Sequence, residues 1–312
     1  MHLDLRFVLV WGLLLCLSRG LLAGADLQPL GSVRPEYKVR GAALRGRTLF
    51  TWGNRLTSWS VPDLRPSHLT NGNFGEGGCL VDLDRNGSLE WVGQSGDSLG
   101  LLVWMAAPGW KPQRIDDEIE MHDCMEATLF GRTGVLMVNR YMQVRFYERS
   151  RGNQWRYREI YSFYTNSQQA GLTLADIDGD SFTDILCGNY WIKSPTRFDL
   201  PWRLFAINTE YYAPLAAMFR FALTGEGKLW AAQSHMERAK LTLFQKPADP
   251  RQLWPALTRP GEGLDLTRAH ALAAGDWAGS SAVIVGENVA GGRLILLAGP
   301  DPKPRILARQ VN

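Results

Sequence analysis

The sequence predicts an all-β fold, a six-bladed β-propeller of four-stranded blades, with a seven-bladed or incomplete ring as the alternative. Three observations carry the prediction. Short apolar runs closing on an amide recur at Asn54, Gln94, Asn139, Asn189, Gln233 and Asn288, spaced by 40, 45, 50, 44 and 55 residues. A second strand-like run follows each amide, and a tryptophan often leads a further run, as at Trp110, Trp155, Trp202 and Trp254. Gly, Pro, Asn and Asp separate the runs, and no segment keeps a helical period over a useful length. Units of about 45 residues with four strands mark a propeller, whose radial arrangement leaves only short edges. A β-sandwich with a smaller β domain would not explain the even spacing.

Of 312 residues, 45% are hydrophobic and 21% charged, which excludes a disordered chain, a collagen and an integral membrane bundle. Lys and Arg number 34 against 31 Asp and Glu, with no run of like charge, so no nucleic-acid partner is expected.

Taken in order, the chain opens on an apolar run from Phe7 to Ser18 behind Arg6, and Ala23 and Ala25 then form an A-x-A cleavage pattern. About 12 apolar residues fall short of the roughly 20 needed to span a bilayer. Residues 1–25 are therefore expected to be a cleaved signal peptide, leaving a secreted or periplasmic monomer with no membrane span. Cys16 follows three leucines and lacks the small residue that precedes a lipidated cysteine. Residues 26–312 are expected to form one propeller domain with blades at approximately 37–70, 71–118, 119–165, 166–212, 213–262 and 263–312. Their middle strands are expected near Leu56–Val61, Gly100–Met105, Met142–Tyr147, Tyr190–Lys193, Leu241–Gln245 and Arg293–Ala298. The last blade supplies its own fourth strand, Arg305–Gln310. Cys79, Cys124 and Cys187 sit in apolar strand-like segments and read as buried small hydrophobes, with a bridge left open.

Two blades carry chemistry between their first two strands. Asp176, Asp178, Asp180 and Asp184 stand at positions 1, 3, 5 and 9 of one loop, with Phe182 at position 7 free to offer a carbonyl. Such an oxygen-rich set suits Ca²⁺. Asp82, Asp84, Asn86, Ser88 and Glu90 repeat the pattern in the second blade. One or two structural calcium sites are therefore expected. The competing reading makes these ordinary solvated turns.

The loop Asp176–Asp184, preceded by Leu174-Ala175 and followed by Ile185-Leu186-Cys187-Gly188-Asn189-Tyr190-Trp191, resembles the FG-GAP/VCBS repeat family of calcium-binding β-propellers. Those repeats are widespread in exported bacterial proteins and related to the integrin α-subunit propeller. The match is close in the fourth unit and recognisable in the second; Ser181 stands where the family usually has Gly. The resemblance implies the fold and calcium, and it orients the blades. Calcium loops lie on one face, so residues before strand one and after strand two lie on the other.

That opposite face collects Asn54, Gln94, Asn139, Arg140, Asn189, Tyr190, Trp191, Gln233, His235 and Asn288 as candidate ligand-binding residues. It also carries Glu76, His122 and His270, candidate catalytic residues in one register. Amides, imidazoles and aromatic rings suit a sugar. For any single amide, the blander role of satisfying a local backbone group competes. The expected function is an exported, calcium-stabilised binding module for carbohydrate or a surface protein. A lyase- or dehydratase-type sugar enzyme using His122 with Asp123 or Glu120 is the second expectation, and a protein-interaction scaffold the third.

Overall fold

The computed structural model describes residues 35–96, 100–150, 154–164, 171–207, 217–223, 228–235, 238–258, 266–267, 269–277, 280–287, 289, 291–298 and 304–309. The expected signal peptide lies outside them, as does Asn288. Of Gln233, His235 and His270 only the strand positions are described.

The described residues form six four-stranded antiparallel sheets, each in simple chain order. Blade 1 holds β1 (Val39–Arg45), β2 (Thr48–Gly53), β3 (Arg55–Ser60) and β4 (Pro66–Asn71), and blade 2 holds β5 (Phe74–Val81), β6 (Glu90–Ser95), β7 (Gly100–Met105) and β8 (Gln113–Ile119). Blade 3 consists of β9 (Met121–Leu129), β10 (Arg132–Asn139), β11 (Val144–Arg149) and β12 (Trp155–Tyr161). Blade 4 consists of β13 (Thr173–Ala175), β14 (Asp184–Cys187), β15 (Tyr190–Lys193) and β16 (Arg203–Ala206). In blade 5 the strands are β17 (Ala217–Leu223), β18 (Lys228–His235), β19 (Arg238–Gln245) and β20 (Ala256–Thr258). In blade 6 they are β21 (Ala269–Trp277), β22 (Ser280–Glu287), β23 (Arg293–Ala298) and β24 (Arg305–Arg309).

The chain divides into two compact units. One contains the first three blades together with residues 194–202, and the other contains the last three. Within each unit the first strands of successive blades lie side by side, β1 by β5 by β9 and β13 by β17 by β21. The expected single ring of six is thus described here at a coarser level: four-stranded blades in two sets of three.

Position within the blade explains the sequence pattern of each strand. Second and third strands are covered on both faces, so they read as continuous apolar runs; β14 and most of β10 are buried throughout. Outer strands show exposed Arg, Tyr and Ser, as in β4 and β12, which discourages pairing with another chain at the edge. In the first unit, Trp52 and Trp91 meet edge to face at 5.7 Å and Phe74 meets Trp91 at 5.1 Å. Gly78 lets them pack, since a Cβ there would lie 2.8 Å from the Trp52 ring and 3.0 Å from the Trp91 ring.

Two connections tie blades beyond their strands. Cys79 of β5 and Cys124 of β9 are buried as expected and form a disulfide with a Cα separation of 5.6 Å, the bridge that the sequence left open and that the preferred reading as simple core hydrophobes did not include. Their first strands are neighbours, and the 45-residue spacing of the cysteines equals one blade repeat, so equivalent positions meet. Cys187 is buried and not in the bridge. Phe198, on the loop between β15 and β16, packs on Phe146 at 5.5 Å and Phe130 at 6.0 Å. The guanidinium groups of Arg132 and Arg158 cover the Phe198 ring at 5.1 and 5.2 Å, and Arg158 also donates to the Leu200 carbonyl.

Candidate functional site

Both acidic loops connect the first and second strands of their blades, and their hydrogen bonds repeat position by position. Asp176 accepts the backbone N–H groups of Gly179, Asp180 and Ser181, and Asp82 accepts those of Asn86 and Gly87. At position 5, Asp180 takes the N–H of Phe182 and Asn86 that of Ser88. At position 9, buried Asp184 takes the Ile177 N–H and buried Glu90 the Leu83 N–H. Much of the carboxylate pattern therefore closes the turn on itself, as Asx turns do. Ser181, at the place of Gly87 in the other loop, adopts φ +69° where Gly87 has +83°.

The loops differ in what they gather. Oxygens of Asp176, Asp178 and Asp184 all lie within 4.8 Å of one another, a donor set that fits a hard cation. Lys193 of β15, which sequence reading missed, reaches the same loop: its Nζ donates to Asp178 and, at 2.6 Å, to Asp180. A lysine closing the Tyr190–Lys193 run, one hairpin from the loop, was the available signal. In the blade 2 loop the amide nitrogen of Asn86 donates to Asp84, and Glu90 turns inward 3.8 Å from Arg149. Burial pushes the Glu90 carboxyl up, against the opposing Leu83 N–H. That loop does not fit a cation as the blade 4 loop does.

At the ends of the second strands, away from the acidic loops of their own blades, the amides serve mainly the protein. Gln94 is buried and accepts the Met121 N–H of the next blade. Asn139 accepts the N–H groups of Tyr141 and Gln143 and donates to the Gln143 side chain. Asn189, Tyr190 and Trp191 are buried, Trp191 stacking on Phe205 at 4.9 Å. Asn54, Arg55 and Glu76 are exposed, and His122 is half-buried. Leu172 donates to Asp123. Arg140 bonds Glu120 at 2.9 Å, donates to the Tyr141 hydroxyl and lies 4.7 Å over that ring. The structure thus gathers Arg140, Glu120 and Tyr141 at the blade 3 turn, around the amide of Asn139.

In the first unit, β1, β5 and β9 border a cleft of about 460 Å³ lined by the Cys79–Cys124 bridge and by Arg45 and Glu126. Glu126 bonds Arg45 at 2.6 Å and accepts the Asp82 N–H, which anchors the blade 2 loop to blade 3.

The chain matches no protein-family model, and no curated protein matches it. Among solved structures it is similar to a protein from Lactobacillus plantarum, with a TM-score of 0.57 and 12% identity over 88% of this chain and 85% of the other. It is also similar to a periplasmic gluconolactonase of Pseudomonas aeruginosa, with a TM-score of 0.58 and 13% identity over 91% and 93% of the two chains. Likeness at this identity shows fold alone. With the blades described above, it establishes the class: an all-β propeller of four-stranded blades.

Proposed function

We propose that the protein is an exported binding module, a propeller that holds a carbohydrate at the face opposite its acidic loops and is braced by calcium in blade 4. The observation that carries the binding reading is the blade 3 turn, where half-exposed Arg140, Glu120 and Tyr141 converge while buried Asn139 fixes the backbone beneath them. Rigid polar groups beside an aromatic ring suit paired sugar hydroxyls. Support for calcium comes from the convergence of Asp176, Asp178 and Asp184 and from the resemblance of their loop to FG-GAP/VCBS repeats. Residues 176, 178 and 184 would hold the ion, whose chemistry there is structural.

Secretion or a periplasmic location follows from the signal-like N-terminus, and the disulfide suits an oxidising compartment. A sugar-acting enzyme is the second reading, favoured by the likeness of fold to a protein named as a gluconolactonase. A thermal-shift screen of the mature chain in saturating calcium against mono-, oligo- and polysaccharides, with product analysis of each hit, tests both. A ligand at 100 times its Kd adds about 2.7 kcal/mol. An unchanged sugar supports the module and a converted sugar the enzyme; no hit overturns both.

A further inference from the structure

Blade 3 carries an aromatic surface that the sequence repeat does not announce. On β11 and β12, Tyr147 pairs with Tyr157 and Arg145 with Glu159, so all four side chains share one face of the sheet. The Arg145 guanidinium lies 4.6 Å over the Tyr157 ring and is fixed by Asp116 of β8 at 3.0 Å and by Gln143 at 2.6 Å. Tyr147 donates to the same Asp116 at 2.7 Å, and burial pushes its phenol well up, so it remains a neutral donor. Gln143 is in turn held by Asn139, which joins this network to the turn bearing Arg140.

At the end of β12 the chain turns back, and Tyr164 donates its hydroxyl to Glu159, within electrostatic reach of Arg145 and Tyr157. Both rings face water, Tyr157 at 52% and Tyr164 at 73% exposure. Tyr164 has φ +54°, and Met142 in the adjoining turn has φ +47°, conformations that bulky side chains seldom adopt. Backbone strain of this kind collects at ligand-holding positions.

Resting on the carbohydrate reading above, we infer that Tyr157 and Tyr164 form a stacking platform for a neutral pyranose, with Glu159 and the Arg140 turn supplying hydroxyl partners. Charge argues for neutrality, because each cation of the network has its anion: Arg145 has Asp116 and Arg140 has Glu120. Polar Glu159, on the same face as Tyr157, breaks up any continuous apolar surface of the kind a protein partner would cover. Flat rings with interspersed hydrogen-bonding groups match the two-sided character of a sugar.

The test is titration calorimetry of the full mature chain with neutral hexasaccharides of glucose, mannose, galactose and xylose, and with a hexuronate of the same length. Wild type is expected to bind at least one neutral hexasaccharide. Tyr157→Ala and Tyr164→Ala, both at exposed positions, should each weaken it tenfold or more with an unchanged melt. Tyr164→Phe, which keeps the ring, should stay within threefold, and Lys111→Ala, on exposed surface elsewhere, should match wild type. If wild type binds and both alanine variants bind equally well, the platform is overturned while the carbohydrate reading stands. Binding of the hexuronate alone overturns neutrality, and binding of no hexasaccharide overturns platform and reading together.

Discussion

Glu287 shows how a single side chain organises a turn. Its carboxylate takes Arg293 in two bonds of 2.8 and 2.7 Å and accepts the backbone N–H groups of Thr267 and Arg293, with the side chain only 3% exposed. Burial pushes this carboxyl up, but the Arg293 guanidinium and the two N–H groups outweigh it and hold the group below its ordinary value. A lowered folded value contributes stability that is complete above the unfolded carboxylate value and is lost as pH falls through the folded one. Glu287→Gln should therefore cost about 3 kcal/mol at pH 7. In acid melts the gap to wild type should close once Glu287 is protonated in the folded as well as the unfolded chain; a constant gap would mean the charge is irrelevant. At Ser181, relieving a left-handed conformation through Ser181→Gly should stabilise the protein by about 1 kcal/mol, read as a raised Tm. The amides of Gln94 and Asn139 were legible as repeated features, and their structural roles are the blander ones weighed for them. Arg145, Tyr157 and Tyr164 were not legible, because their meeting depends on cross-strand register and on a neighbouring blade, neither of which leaves a spacing in the sequence.

Among the strands, those with unbroken apolar runs were legible to the residue: β7, β15 and β23 span the expected segments, and β12 begins at the expected Trp155. First strands were harder. In β5 the sequence FGEGGCLV spends its glycines on close approach to Gln94, Met121 and the Trp52 and Trp91 rings, which erases the alternation that would mark a strand. The same strand hid the disulfide. Closing a 45-residue separation stabilises by about 4 kcal/mol in the chain-entropy model, so Cys79→Ser with Cys124→Ser should lower stability by about 2 to 4 kcal/mol in urea melts. A wild-type melt unchanged by reductant would show the bridge to be absent or inert. The blade 4 loop offers a sharper test, because Lys193 already places a positive charge against Asp178 and Asp180. Lys193→Met should increase calcium affinity at least tenfold by titration, and Asp184→Asn should abolish it. Equal affinities in Lys193→Met and wild type would remove the lysine from any competition.

For the molecule as a whole, the rhythm of the amides gave the architecture, since each 40-to-55-residue interval runs from the second strand of one four-stranded sheet to the second strand of the next. What the rhythm could not convey is that one segment between strands of blade 4 is grouped with the first three blades. Phe198 is the centre of that segment, and Phe198→Ala in the full chain should cost about 3 kcal/mol, measured by pulse proteolysis. An effect below 0.5 kcal/mol would show that the arginines and Phe146 repack without it.

The same feature sets an order on synthesis. A chain leaving the ribosome completes β12 well before residue 198 has been made, so Phe130 and Phe146 emerge without the ring that covers them. Blade 3 therefore spends part of its birth with apolar surface open to other chains. The rings are covered only once three strands of the next blade have been made, and a pause just after residue 161 would be the most hazardous place for the nascent chain to wait.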